Sequence, residues 1–207
     1  MANKVSVVIP AFNEGSRISN VLNELIPYGH EVIVVDDGST DDTAEISRNL
    51  GVKVVRQKNS GYINAIKNGF KHANGDICVT LDADGEHDPK DISKLIGPIL
   101  ANKADIVLGK RHHIPRVSER FISWITSFKI PIHDTGTGLR AIRKDIALNL
   151  NIPGKCICGV SVLEYYHMGA RIIEVPIAIR SISKVRKIAW GHFIQLFYVI
   201  KLLFKKN

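Results

Sequence analysis

The sequence predicts an α/β protein built on a mostly parallel sheet covered by helices on both faces. Three observations carry that expectation. Short apolar runs alternate with helical patterns through the first half of the chain. Three of those runs end in polar or acidic turns that lead into helices. The 207 residues, 45% hydrophobic and 23% charged, suffice for one substantial core.

Strands are expected near 4–10, 31–36, 53–57, 76–81 and 104–109, and helices near 14–26, 42–50, 61–72 and 89–101. Val5 to Ile9 form the first apolar run, and Pro10 ends its ladder because it has no N–H to donate. Asn13 is positioned to cap the helix that follows. Glu31 to Val35 lead into Asp36-Asp37-Gly38-Ser39-Thr40-Asp41, where Gly38 permits a positive-φ turn and Thr40 or Asp41 can cap the next helix. Ile77 to Leu81 lead into Asp82-Ala83-Asp84-Gly85-Glu86-His87. Gly51, Gly75 and Pro89 punctuate the pattern. The second half is less regular, with a helix expected near 117–128 and a strand pair near 139–143 and 171–180.

The strand ends carry the chemistry. Asp82 and Asp84 are one residue apart just past a strand, so their side chains point the same way. Such carboxylates repel each other unless a cation lies between them, and Mg²⁺ or Mn²⁺ suits an all-oxygen set. Glu86 can add a third oxygen from the same turn. An isolated pair reads more readily as a solvated acidic turn. Here Asp36 and Asp37 also close an apolar strand, and caps do not explain them; carboxylates there can accept from a base N–H or from ribose hydroxyls. In open α/β sheets, ligands bind at the carboxyl ends of the strands.

Charge is unevenly spread. No acid follows Glu174, and Arg180, Lys184, Arg186, Lys187, Lys201, Lys205 and Lys206 carry +7 of the formal +8. Nucleic acid or an anionic membrane would attract that tail. Within Ile188 to Phe204, Lys187, Gly191, Gln195, Tyr198, Lys201 and Lys205 fall on one helical arc, and Trp190, Phe193, Phe197, Ile200 and Phe204 on the other. The run is short for a span of ~20 apolar residues and suits an interfacial helix, or one packed on the core. The expected division is one domain over 1–183 and a basic amphipathic helix over 184–207. Cys78, Cys156 and Cys158 leave one cysteine over in any disulfide scheme, which fits a reduced, cytoplasmic setting. Val5 to Ile9 is too short for the apolar stretch of a signal peptide, so no secretory leader is expected. The adjacent His112 and His113 would point apart on any regular element, which argues against a shared metal.

In order, Pro10-Ala11-Phe12-Asn13-Glu14, Asp36-Asp37-Gly38-Ser39, Asn59 with Gly61, Asn64-Ala65, Gly69, Asp82-Ala83-Asp84 and Gly109-Lys110-Arg111 resemble the family 2 glycosyltransferases. A narrower likeness is to the polyprenyl-phosphate (dolichol-phosphate) mannose or glucose synthases. It rests on Glu86-His87-Asp88-Pro89, Asp134 ahead of Gly138-Leu139-Arg140, Gly159, Glu164, Glu174-Val175-Pro176-Ile177, and Arg180 with Ser183-Lys184. Glu119 stands where that group often has the first of two arginines, leaving Arg120.

The resemblance implies a GT-A fold and a metal-dependent, inverting transfer of a hexose from a UDP- or GDP-linked donor. Pro10, Ala11, Asn13, Glu14, Asp36, Asp37, Asn59 and Gly61 would hold the nucleotide. Asp82, Asp84 and Glu86 would hold Mg²⁺ or Mn²⁺ at the diphosphate. A polyprenyl or dolichyl phosphate acceptor is already an anionic nucleophile at neutral pH, since its second pKa is near ~6. It needs docking cations more than a base, and Arg111, Arg116, Arg120, Arg140, Arg180 and Lys184 are the candidates. A hydroxyl acceptor, on a glycan or glycolipid, would instead need a carboxylate base, for which Asp134 is the candidate. The expected location is peripheral, on the cytoplasmic face of a membrane with an anionic surface.

Competing classes fare less well. A nucleic-acid-binding module would account for the basic tail but not for acidic strand ends, and no nucleic-acid partner is expected. The first strand leads to no GxGxxG turn, and no GxxxxGK[ST] occurs, which disfavours dinucleotide oxidoreductases and P-loop NTPases. A silent sugar-nucleotide binder remains a third alternative.

Overall fold

The computed structural model describes residues 4–154, 156–181 and 191–205. In chain order the elements are β1 (Val5–Ala11), α1 (Gly15–Leu25), β2 (Glu31–Asp36), α2 (Thr43–Asn49), β3 (Lys53–Arg56), α3 (Tyr62–His72) and β4 (Ile77–Thr80). There follow α4 (Ile92–Leu100), β5 (Ile106–Arg111), α5 (Val117–Ser127), β6 (Arg140–Arg143), α6 (Lys144–Asn149), α7 (Val160–His167), β7 (Ile172–Ile177) and α8 (Gly191–Leu203). Seven strands form one sheet in the order β3-β2-β1-β4-β6-β5-β7. The pairs β1–β2, β1–β4, β2–β3 and β5–β7 are parallel, and β6 runs antiparallel to both β4 and β5.

The period-two alternation of strand side chains splits the core into two halves. Val7, Ile9, Val32, Val34, Ile77 and Val79 pack with the buried stripes of α1 and α4. Val8, Ile33, Val35 and Cys78 pack on the other face with α3, α5, α6, α7 and α8. Chain direction reverses its winding between β2 and β4, on either side of β1. The carboxyl ends of β1, β2 and β4 therefore meet at a topological switch point. Asp37 N donates to Ala11 O at 2.9 Å and Leu81 N to Val8 O at 3.1 Å, which fixes the three strand ends side by side.

Several local expectations need correcting. Residues 139–143 and 171–180 do not pair with each other, because β5 lies between β6 and β7. Asn13 does not cap α1. Its backbone is left-handed at φ 53°, which turns its carboxamide to accept from Thr40 N at 2.9 Å. Asp41 does hold the start of α2, accepting from Thr43 N at 3.1 Å. Gly38 has the positive φ its turn requires, +80°, and a Cβ there would lie 2.9 Å from Asn59 N. Residues 184–190, including Lys184, and Lys206 lie outside the described residues.

Register at the far edge is set by one carboxylate. Asp105, just before β5, accepts from Arg143 Nε at 3.0 Å and from Arg171 N, Nε and Nη2 at 2.9–3.0 Å. It thus clamps the end of β6 and the start of β7. The Arg171 side chain, more than its backbone N–H or Arg143, holds the Asp105 carboxyl well below the usual carboxylate range against the opposing effect of burial. A depressed carboxylate stabilises the fold above its unfolded pKa of about 4 and loses that contribution as pH falls through the folded value. Asp105→Asn is expected to cost about 1 kcal/mol at pH 7, a figure already discounted for the half-exposed Arg171. Urea unfolding of variant and parent should converge as pH drops below about 4.

Candidate active site

The turn after β4 builds one wall of a cleft of about 390 Å³. Asp82, Ala83 and Asp84 line it together with Pro10 and Glu14 from the end of β1, Tyr62 from α3, and Gly136 and Gly138. Arg116, Glu119 and the 156–158 loop line it too, with Gly191 and His192 of α8. Its size is ordinary for a small-molecule site. A smaller recess of about 110 Å³ joins Asp82, Asp84, Glu86 and His87 to Arg111, Arg116 and Glu119.

The carboxylates are held in place. Tyr62 donates its hydroxyl to Asp82 Oδ1 at 2.8 Å. Burial, then the charge of Asp82, pushes the Tyr62 phenol well above its ordinary pKa, so it stays a donor. Asp84 Oδ1 accepts from Glu86 N at 3.1 Å, and His87 Nε2 approaches Asp82 Oδ2 at 3.6 Å. The turn is pinned from outside: Arg180 N donates to Glu86 O at 2.9 Å, and the Arg180 guanidinium reaches Glu24 at 2.6 Å and Asp88 at 3.2 Å. Gly138 faces Asp82 so closely that a Cβ would sit 2.0 Å from Oδ2. Any side chain there would fill the cradle that Asp82 occupies.

Two carboxylates with a third nearby, all oxygen donors, fit a hard divalent cation that completes its shell with water or phosphate. Asp82, Asp84 and Glu86 do not form a closed three-oxygen cage. Among the described residues, the one trio of donor atoms all within 4.8 Å of one another is Cys156, Cys158 and His192.

Several expected ligand-facing charges are turned inward. Asp36 is fully buried; its Oδ1 accepts from Ser39 N at 3.1 Å and its Oδ2 lies 3.1 Å from Arg56 Nε. Asp37 accepts from Gln57 Nε2, Ser60 N and Gly61 N, each at 2.8 Å, so it braces the loop that carries Asn59 and Gly61. Asp134, 1% exposed, is gripped by Arg111 through Nε and Nη2 at 2.7 Å each. Such a carboxylate cannot reach an acceptor hydroxyl, and its geometry serves Arg111. Arg140 is buried, donating to Thr135 O at 2.7 Å, Thr137 O at 2.8 Å and Ser161; it holds the loop beneath the cleft and cannot dock an acceptor. Arg120 is exposed and outside the cleft lining.

Among the described candidate cations, Arg116 lines the cleft; its Nη1 lies 2.8 Å from Glu119 Oε1 and its side chain lines both cavities. Glu119 also accepts from Arg111 Nη2 at 3.1 Å. Sequence reasoning gave Glu119, Tyr62, Gly138 and His192 no place in the cleft. For Glu119 the signal existed, as a charged residue in an otherwise amphipathic helix; for the others no local pattern marks the contact.

A family model described as Glycosyl transferase family 2 matches residues 6–163. The chain is 36% identical over 158 residues to an uncharacterized glycosyltransferase of Mycobacterium tuberculosis, covering 72% of this chain and 71% of that protein. It is 44% identical over 199 residues to a dolichol-phosphate mannosyltransferase of Pyrococcus furiosus, covering 84% of this chain but 55% of that protein's length. It is 33% identical over 179 residues to a UDP-N-acetylglucosamine–dolichyl-phosphate N-acetylglucosaminyltransferase of Methanococcus voltae, covering 70% and 71%. Glucosyl-3-phosphoglycerate synthase from Mycobacterium tuberculosis, solved with Mn²⁺ and UDP-glucose, superposes with a TM-score of 0.82 over 100% of this chain and 81% of that one, at 21% identity. That likeness is one of fold, and the fold is GT-A.

Gly138→Ala should displace the Asp82 carboxylate while leaving the fold standing, at a cost of about 1 kcal/mol. Mn²⁺ affinity, read by electron paramagnetic resonance of free Mn²⁺, is expected to fall about 10- to 100-fold. Unchanged affinity would remove Asp82 from the metal site.

Proposed function

The chain belongs to the family 2 glycosyltransferases, and from that premise we propose that it moves a hexose from a nucleotide-diphosphate sugar to a polyprenyl or dolichyl phosphate at a membrane surface. The observation that carries the proposal is the sharing of one cleft by Asp82, Asp84 and Arg116. Paired carboxylates for the donor diphosphate and a guanidinium for an acceptor phosphate are what such a transfer needs. The names of the Pyrococcus furiosus and Methanococcus voltae relatives support the lipid acceptor, and the nucleotide sugar and Mn²⁺ of the structural neighbour support the donor and cofactor.

In this reading Pro10 and Glu14 border the nucleotide, and the Asp37-braced loop with Asn59 and Gly61 flanks it. Asp82 and Asp84 would hold Mg²⁺ or Mn²⁺, which supplies Lewis-acid neutralisation of the departing diphosphate. Tyr62 keeps the Asp82 carboxylate oriented. Arg116 docks the acceptor phosphate, and Arg111, fixed by Asp134, sets Glu119 and through it Arg116. Attack by a phosphate oxygen on the anomeric carbon, opposite the leaving diphosphate, inverts that centre. An anionic nucleophile requires no general base, consistent with Asp134 being committed to Arg111.

Two helices support the membrane part. No helix among the described residues is long and apolar enough to cross a membrane. Yet α8 buries His192, Gln195, Val199 and Leu202 while leaving Phe193 and Phe197 66–70% exposed, and Phe204 just past its end is 83% exposed. Its neighbour α5 exposes Trp124 (57%) and Phe128 (72%), rings 4.9 Å apart. Aromatics displayed beside the exposed Lys201 and Lys205 suit insertion at headgroup depth.

The test is turnover with Mn²⁺, radiolabelled UDP- and GDP-hexoses and a short polyprenyl phosphate. Label should enter the organic phase, vanish with EDTA, and fall on the order of 100-fold or more with Asp84→Ala. Donor binding that depends on metal, with label kept in the aqueous phase, would overturn the acceptor while leaving the family chemistry intact. Separately, the triple replacement of Phe193, Phe197 and Phe204 by Ser should weaken sedimentation with anionic liposomes on the order of 100-fold or more, since each buried ring contributes about 2 kcal/mol. Undiminished sedimentation would overturn the aromatic face as the membrane contact.

A further inference from the structure

The proposed transfer assigns no role to the trio Cys156, Cys158 and His192, although all three line the cleft. The cysteines lie in the loop before α7 and the histidine in the first turn of α8. Their two sulfurs and one imidazole nitrogen lie within 4.8 Å of one another. Cys158 Sγ is 3.9 Å from His192 Nε2. A tetrahedral ion with Zn–S of about 2.3 Å and Zn–N of about 2.0 Å sets its ligand atoms about 3.6–3.8 Å apart. Closing on an ion therefore asks for movements of about an ångström or less.

Surrounding contacts prepare the donors. Ser118 Oγ lies 2.6 Å from His192 Nδ1, leaving Nε2 as the nitrogen that faces the sulfurs. With the Nδ1 proton given to Ser118, Nε2 presents its lone pair, the usual outer arrangement of a metal-bound histidine. Cys158 N donates to Cys156 Sγ at 3.1 Å, a bond that favours negative charge on that sulfur. Gln195 fixes the loop backbone, donating to Cys156 O and to Cys158 O at 2.5 and 3.3 Å. Cys158 and His192 are buried and Cys156 is half-buried.

We propose that Cys156, Cys158 and His192 form a three-ligand site for a zinc ion, with the fourth position open to the cleft. Soft thiolates and an imidazole select Zn²⁺ over Mg²⁺ or Mn²⁺, which take oxygen ligands. This metal is distinct in chemistry from the one assigned to the carboxylates. Cys158 and His192 are 34 residues apart in the chain, so the ion would staple the 156–158 loop to α8. It would hold the aromatic helix at the rim of the cleft.

Cobalt substitution tests this on the unmodified chain. Reduced protein, stripped with chelator and titrated with Co²⁺, should develop thiolate-to-cobalt charge-transfer absorption and tetrahedral d–d bands, saturating at about one ion per chain. Zn²⁺ should abolish both, and excess Mg²⁺ should not. Cys156→Ser and His192→Gln, each confirmed folded by circular dichroism, should lose the charge-transfer band or shift it strongly, and Asp84→Ala should keep it. A cobalt spectrum without thiolate bands would overturn the site. So would bands that survive in Cys156→Ser but vanish in Asp84→Ala, or reduced protein that binds Zn²⁺ no better than the Cys156→Ser variant.

Discussion

The Arg111 guanidinium is the constraint on which the second half of the molecule depends. It sits at the end of β5 inside the protein, between Asp134 and Glu119. Burial opposes its charge, but the two carboxylates outweigh that and hold its pKa above the ordinary arginine value. Each partner needs the others. Without Arg111, Asp134 would lose its counter-charge while Glu119 kept Arg116, and stranding one buried partner costs several kcal/mol in comparable pairs. The 134–138 loop takes its path from this knot. Gly136 packs where a Cβ would lie 3.1 Å from Arg111 Nη2, and Gly138 continues from it to face Asp82. A salt-bridge network at the end of β5 thus decides how the acidic turn is walled.

Much of the fold was legible because its signals are local. The runs Val5–Ile9 and Glu31–Val35 are dense in β-branched residues and lead into polar turns, so β1 and β2 lie within a residue of expectation, although Pro10 does not end the ladder and β1 pairs with β2 through Ala11. The order of the last three strands was not legible. β6 is four residues long with an arginine at each end, and its antiparallel placement between β4 and β5 comes from contacts distant in sequence. The short helices α6 and α7 follow the same irregular region and carry no caps that a pattern would reveal.

The site was legible by residue type more than by partnership. Asp82 and Asp84 announce themselves by spacing past an apolar strand, and the structure lines the cleft with both. Charge alone does not say which arginine faces a ligand. Arg140 and Arg111 look no different in sequence from Arg116, yet they are spent on backbone carbonyls and buried carboxylates. The helical arc that holds Gln195 and Lys201 does not form one solvated face, since Lys201 is exposed and Gln195 is buried. Gln195 points inward because two carbonyls of the 156–158 loop need a donor there.

With the proposed lipid phosphate as acceptor, the two-sidedness of α8 has a kinetic consequence. One side of the helix carries His192 into the cleft lining, and the other carries exposed phenylalanines. A lipid-borne acceptor would meet such an opening by diffusing within the leaflet, with its phosphate already at the depth of the cleft. Encounter then scales with the number of acceptor molecules per unit area of bilayer, and bulk concentration drops out. Adding inert lipid at constant total acceptor would slow such a reaction by dilution in two dimensions.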